Sequence, residues 1–257
     1  MSGRFRTGWF RRKVSGLPPC LAEGLRIYAV GDIHGCYDLL EALYAEICLD
    51  IERAPPERSI EIFLGDYIDR GPQSRDVVEW LIFGRRAADE RICLLGNHED
   101  MMLRVLDDPE ATSIWLHNGG LATLLSYRAM PMDGMSGLTV GGARSAFLSA
   151  FPPSHRAFVE GLPRLVRFGG YVFVHAGLRP GRALDDQDPD DLVWIREPFL
   201  ASSADFGARV VHGHTPVDAP EVRANRINID TGAFFTGRLT CLVLEGEGRR
   251  FLQTVPR

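Results

Sequence analysis

Short runs of β-branched and aromatic residues recur along the chain, and most of them stop at a glycine or a polar cluster. They are Leu25–Val30, Ser59–Leu64, Arg91–Leu95, Gly170–Val174, Ala208–Val211, Arg226–Asp230 and Leu239–Leu244. Such runs, mostly apolar without strict alternation, predict strands buried on both faces. Between the first three lie patterns of helical period. After Gly35, the residues Leu39, Leu40, Leu43 and Ile47 fall on one face; after Pro72, Val77, Val78, Leu81 and Ile82 do so, with Ser74 placed to cap. A third helix is expected from Glu99, carrying Met102, Val105 and Leu106. The first half therefore reads βαβαβα and the second half is richer in strands, which gives an α/β fold with at least one mixed sheet. Residues 107–165, with Trp115, Gly119–Gly120 and the Pro152–Pro153 pair, read as a helical insertion beside the core.

The length of 257 residues and a 45% hydrophobic content suffice for a large core without staples. No internal repeat or long linker divides the chain, so residues 25–257 are expected to form a single domain. Arg4, Arg6, Arg11, Arg12 and Lys13 precede the first acid, Glu23. Residues 1–24 are accordingly expected to be a flexible basic extension, with an anionic docking arm as the alternative. A net charge of −5 argues against a nucleic-acid surface. Five widely spaced cysteines with no CxxC pair fit reduced thiols in a cytoplasmic protein. No apolar run approaches a membrane span, so no membrane partner is expected.

The candidate chemistry lies at the strand ends. Gly31-Asp32-Ile33-His34-Gly35 succeeds the first strand, Gly65-Asp66-Tyr67-Ile68-Asp69-Arg70-Gly71 the second and Gly96-Asn97-His98-Glu99 the third; His175-Ala176-Gly177 and His212-Gly213-His214-Thr215-Pro216 succeed two more. Ligands of open α/β sheets bind outside the carboxyl ends of strands. Any one of these fragments alone is a turn with a surface histidine. All of them together, in order, place Asp, His and Asn repeatedly at that edge. Carboxylate, amide and imidazole donors without thiolates suit Mn, Fe or Zn in a reactive site. Asp32, His34, Asp66, Asn97, His175 and His214 are too many for one four-coordinate ion and about right for two that share a carboxylate.

The motifs GDIHG, GDYIDRG, GNHE, HAG and GHTP resemble, in order and spacing, those of the metallophosphoesterase (calcineurin-like) superfamily. With WLHNGG (115–120), WIRE (194–197) and IDTGAFFTGRLT (229–240), they look most like its bacterial and phage serine/threonine phosphoprotein phosphatases. The resemblance spans roughly residues 25–245. It implies two mixed β-sheets packed as a sandwich flanked by helices, and two divalent metal ions, Mn2+ first with Fe or Zn as alternatives. Asp32 and His34 would bind the first ion, Asp66 would bridge, and Asn97, His175 and His214 would complete the second; His212 falls outside the pattern and is expected to be a neighbour. His98 would be the general acid, oriented by Asp69. Arg70 and Arg196 would hold phosphate oxygens, and Asn118 would line the pocket unless it is a helix-end cap. The implied reaction is hydrolysis of a phosphomonoester, in a phosphorylated protein or a small phosphoester, by a metal-bridging water or hydroxide attacking phosphorus in line.

Two other readings compete. A symmetrical diadenosine tetraphosphatase shares several motifs, but its second motif lacks the aspartate present here as Asp69. A non-catalytic metal-binding scaffold would be expected to have lost a ligand or the acid, and none is missing. One position departs from the protein phosphatases: Leu95 stands before Gly96-Asn97-His98 where they carry arginine, so one phosphate clamp is expected to be absent unless another arginine replaces it in space.

Overall fold

The computed structural model describes residues 19–129 and 139–255. The strands are β1 (Leu25–Val30), β2 (Arg58–Phe63), β3 (Glu90–Cys93), β4 (Leu165–Phe168), β5 (Tyr171–Val174), β6 (Arg209–His212), β7 (Glu221–Val222), β8 (Arg226–Asn228), β9 (Thr240–Glu245) and β10 (Gly248–Gln253). One sheet has the order β10-β9-β1-β2-β3 and the other β4-β5-β6-β8-β7. Both are mixed. The central strands β1, β2 and β3 run parallel, as do β5, β6 and β8, while β9, β10, β4 and β7 pair antiparallel.

The sandwich is a consequence of the period of two. In β1, Ile27 and Ala29 face the other sheet and meet Phe173, Val211 and Ile227, whereas Tyr28 and Val30 enter the helical side of the core. Both faces are buried, so the strand reads as a continuous apolar run. The helical layer over the first sheet is built from α1 (Tyr37–Arg53), α2 (Ser74–Phe83) and α3 (Asn97–Asp107). It also includes α4 (Ala111–Trp115), α5 (Leu121–Ser126), α6 (Val140–Ala150) and α7 (Pro153–Glu160), which supply the expected helical insertion. The smaller helices α8 (Pro189–Trp194) and α9 (Ala233–Thr236) lie in the second half.

Strands β4, β7 and β10 are not predicted from the sequence, and three further details differ. Residues 1–18 of the basic extension lie outside the described residues, but Leu21 is 4% exposed, its N–H bonds the Gly246 carbonyl, and the Cys20 carbonyl accepts from Gly170. Residues 19–24 are therefore docked. Ser74 does not cap α2; it is the first helical residue, and its hydroxyl accepts instead from the backbone N–H of Asp69. The third helix starts at Asn97, two residues early, because the Glu99 side chain turns back onto the Gly96 N–H.

Candidate metal centre

The strand-end loops converge at the carboxyl edges of the two sheets, and the backbone there is held in an unusual shape. Among the described residues, six non-glycine positions have positive φ, and five of them are His34, Asp66, Asp69, Arg70 and His214. Such conformations cost about 1–3 kcal/mol each and persist only where the surroundings enforce them. Glu99 is one source of that enforcement. Its fully buried carboxylate accepts from the N–H groups of Asp66 (2.8 Å), Tyr67 (2.8 Å), Ile68 (3.2 Å) and Gly96 (3.1 Å), pinning the Asp66 loop to the start of α3. Burial pushes its pKa up to about 8, with the Asp66 charge adding to the shift. Gly96 allows the close approach: a Cβ there would collide with the Asp66 backbone nitrogen and side chain.

Asp66 stands between two sets of donors. Its carboxylate, His34 and His98 offer atoms mutually within 4.8 Å, and so do Asp66, His175 and His214; all five residues are buried. Asp66 Oδ2 lies 3.4 Å from His34 Nε2, and Oδ1 lies 3.3 Å from His175 Nε2. Asn97 joins the second set, with Oδ1 2.9 Å from His175 Nε2 and 2.8 Å from His214 Nδ1. Asp32 belongs to neither triplet but adjoins them: its Oδ2 accepts from the His214 N–H at 3.0 Å, while Oδ1 has no partner. His212 points elsewhere, its Nδ1 against the Gly213 carbonyl and its ring against Phe199.

The donor chemistry fits cations. His175 Nδ1 donates to the Leu64 carbonyl at 2.9 Å, which leaves Nε2 a bare lone pair facing the lone pairs of Asn97 Oδ1 and Asp66 Oδ1. His34 Nδ1 likewise donates to Ile68, leaving its Nε2 towards the site. Burial lowers the pKa of His34 and of His214 to about 3, and that of His175 below the ordinary histidine range, so all three imidazoles are neutral. Burial, then the Asp230 and Asp66 charges, push Asp32 up, and burial also pushes Asp230 up to about 6. Burial opposes ionisation of Asp66 as well, but the surrounding imidazoles hold its carboxyl below the usual range. Crowded acids, converging lone pairs and the orphaned Asp32 Oδ1 and His214 Nε2 are what divalent ions would satisfy.

His98 sits at the edge of the first set. Its Nδ1 donates to Asp69 Oδ2 at 2.7 Å, and Nε2 faces Asp66 Oδ2 at 3.9 Å. Asp69 is itself fixed by Trp115 Nε1 (3.0 and 3.1 Å) and by the Thr123 hydroxyl (2.6 Å), both from the helical insertion. Burial lowers the His98 pKa, but the Asp66 charge and the Asp69 bond outweigh it and leave the group raised.

The basic and amide residues are less deeply placed. Arg70 is exposed, with Nη1 2.9 Å from His34 Nε2 and the guanidinium 4.8 Å above the Phe234 ring. Arg196 is exposed, and its charge disfavours protonation of His175 and His214. Asn118 is exposed and donates to the Ile114 carbonyl at 2.8 Å, one turn back. Leu95 is 2% exposed and packs in the main apolar core. Sequence reasoning gives no role to Glu99, Asp230, Trp115 or Thr123. Glu99 and Asp230 lie within recognisable motifs, but their partners lie in other loops.

The sequence profile of the calcineurin-like phosphoesterase family matches residues 25–234, and the chain belongs to that family. A serine/threonine-protein phosphatase 1 from Salmonella typhimurium is 31% identical over 83% of this chain and 89% of that protein. An asymmetrical bis(5'-nucleosyl)-tetraphosphatase, PrpE, from Geobacillus sp. is 29% identical over 84% of this chain and 89% of its own length. Among solved structures, one described as a candidate diadenosine tetraphosphatase has a TM-score of 0.59 at 21% identity, covering 90% of this chain and 94% of that one. The chain is thus a metallophosphoesterase-family hydrolase, and that family uses a dinuclear metal centre.

Proposed function

We propose that the protein is a phosphomonoester hydrolase that releases an alcohol, of the serine/threonine protein phosphatase type, acting in the cytoplasm with two Mn2+ ions. The observation that carries this reading is the His98–Asp69 dyad beside Asp66, because an alkoxide is a poor leaving group that needs a proton. Asp32, His34, Asp66, Asn97, His175 and His214 hold the ions. When bound, the ions supply an activated water at neutral pH and neutralise charge on the phosphoryl oxygens.

The chain's own groups do the rest. His98, protonated with Nδ1–H on Asp69, presents Nε2–H to the departing oxygen; the Asp66 and Asp69 charges favour that imidazolium. Arg70 and Arg196 flank the centre and can each pair with phosphate oxygens in the planar, bidentate way of guanidinium. Asn118 spends one amide N–H on the Ile114 carbonyl and keeps a second that can donate to a phosphate oxygen. Trp115 and Thr123 keep the Asp69 carboxylate from rotating away.

A second reading, hydrolysis of dinucleoside tetraphosphates, is favoured by the names of the PrpE relatives. Parallel assays of a phosphoserine peptide, p-nitrophenyl phosphate and diadenosine tetraphosphate with Mn2+ separate the two. The first reading expects higher kcat/KM on the peptide than on the tetraphosphate; the reverse order contradicts it.

A further inference from the structure

Arg70 enters the centre from a loop that leaves its charged head without an acidic partner. Its backbone is left-handed, at φ 67°, and its N–H bonds the Gly119 carbonyl at 3.3 Å, so the base of the side chain is fixed. Among the described residues the guanidinium forms no ion pair, and its one hydrogen bond runs from Nη1 to His34 Nε2 at 2.9 Å. That lone pair is the one His34 offers to an ion, and it cannot serve both. The charge of Arg70 still acts on Asp32 and Asp230, which places the head on the centre's side. An arginine stem carries a large rotamer entropy. Some other contact must therefore set the plane of the guanidinium if it is to meet phosphate oxygens in pairs.

Phe234 supplies that contact. Arg70 Cζ lies 4.8 Å from the centroid of its ring, and the same ring stands edge-on to the His34 imidazole, with centroids 5.4 Å apart. The side chain is left 39% exposed, so filling the core does not account for it. Its support is stiff nonetheless. The four residues of α9 lie between Gly232 and Gly237, both left-handed, at φ 66° and 69°. Asp230 Oδ1 accepts the Gly232 N–H at 2.9 Å, the Thr236 hydroxyl donates to the Thr231 carbonyl at 2.7 Å, and the Phe235 ring packs against Phe234 with centroids 4.9 Å apart. Stacking on a ring face fixes the plane of a guanidinium and leaves its N–H donors unused. The in-plane edge stays available to phosphate oxygens.

We propose that Phe234 is a positioning residue, whose ring holds the Arg70 guanidinium in the orientation that meets phosphate, so that this clamp is ordered before substrate arrives. The inference rests on the reading that gives Arg70 the phosphate oxygens beside the Asp66 centre. An arginine fixed in advance does not have to be ordered on binding, and ordering such a side chain weakens binding by about 2- to 12-fold.

The test is the affinity of the metal-loaded enzyme for orthophosphate, measured by calorimetric titration so that a slow variant reads as well as a fast one. Phe234→Leu should weaken binding about 2- to 12-fold while retaining as many ions per chain as the wild type. Phe234→Tyr, which keeps the ring face, should restore most of the loss. In an Arg70→Met background, Phe234→Leu should have no further effect, because the group it positions is gone. Wild-type affinity in Phe234→Leu overturns the proposal, as does a loss equally large in Phe234→Tyr or in the Arg70→Met background. Fewer ions in Phe234→Leu also overturn it, since the ring then supports His34 rather than Arg70. Unchanged phosphate affinity in Arg70→Met refutes the phosphate role of Arg70 and the proposal with it, whereas a weakened Arg70→Met beside an unaltered Phe234→Leu refutes the positioning alone.

Discussion

Replacing Glu99 by glutamine keeps the side chain's shape but leaves one oxygen where two had accepted four backbone N–H groups. Oε2 accepts from Asp66 and Gly96, and Oε1 from Tyr67 and Ile68. In the variant, one pair of N–H groups meets the amide NH2, so two buried donors lose their acceptor. Each such loss costs about 1–3 kcal/mol, or about 2–6 kcal/mol in all. Burial disfavours the ionised form of Glu99, so losing that carboxyl offsets part of this and the lower end is expected. At about 2–4 °C per kcal/mol for a chain of this size, the midpoint of thermal unfolding should fall by at least about 4 °C. The loop released is the one that holds Asp66 at φ 53°, so metal retention after dialysis should fall as well. Calorimetry on the metal-free protein and metal analysis of the dialysed holoprotein read the two effects separately. A midpoint within about 1 °C of wild type, with full metal content, would refute the assignment of Glu99 as the clamp on this loop.

Other perturbations probe different parts of the molecule. His98→Asn should keep its metals but lose about 10²–10⁴-fold in kcat on alkyl phosphates, and less on p-nitrophenyl phosphate, whose leaving group is a stable anion; equal losses would count against proton donation. Leu95→Arg should not add a phosphate clamp: the side chain is buried in the core, so the variant should lose about 3 kcal/mol or more of stability, measurable by denaturant titration, and a stable variant with improved monoester turnover would contradict this. His155 is fully buried between Tyr127 (2.8 Å) and Glu79 (2.8 Å), and burial holds its pKa below the ordinary value despite that carboxylate. The unfolded chain therefore takes up the proton first as pH falls, so this group's contribution is complete above about 6.5 and declines below it. Between pH 7.5 and 5.5 the wild type should lose more stability than His155→Gln, read from denaturant titrations at the two pH values; parallel curves would argue against it.

The sequence made the centre legible because its donors sit immediately after strongly apolar strands, where a glycine marks the turn and the residue type announces the chemistry. Asp32, Asp66, Asn97, His175 and His214 are all of this kind, and all lie in the converging loops. What escaped depended on contacts between distant segments. Glu99 looks like an ordinary acid in the first turn of a helix until the Asp66 loop folds over it. Trp115 and Thr123 gain their meaning from Asp69, 46 and 54 residues away. Ser74 carries the local signature of a cap, but its hydroxyl is taken by the Asp69 N–H, five residues back, and by the Thr123 hydroxyl, 49 residues on. The strands missed were β4, β7 and β10, each short or at a sheet edge; β10 opens Gly248-Arg249-Arg250, which reads as polar loop because its outer side faces water.

If Asp66 joins the two donor sets into one dinuclear centre, the metal content of purified Asp66→Asn must show it. Wild-type protein loaded with Mn2+ and desalted should retain two ions per chain by elemental analysis. The variant, whose folding is checked by its circular dichroism, should retain one or none and lose nearly all phosphatase activity. Two tightly held ions per chain together with normal turnover in Asp66→Asn would contradict the claim.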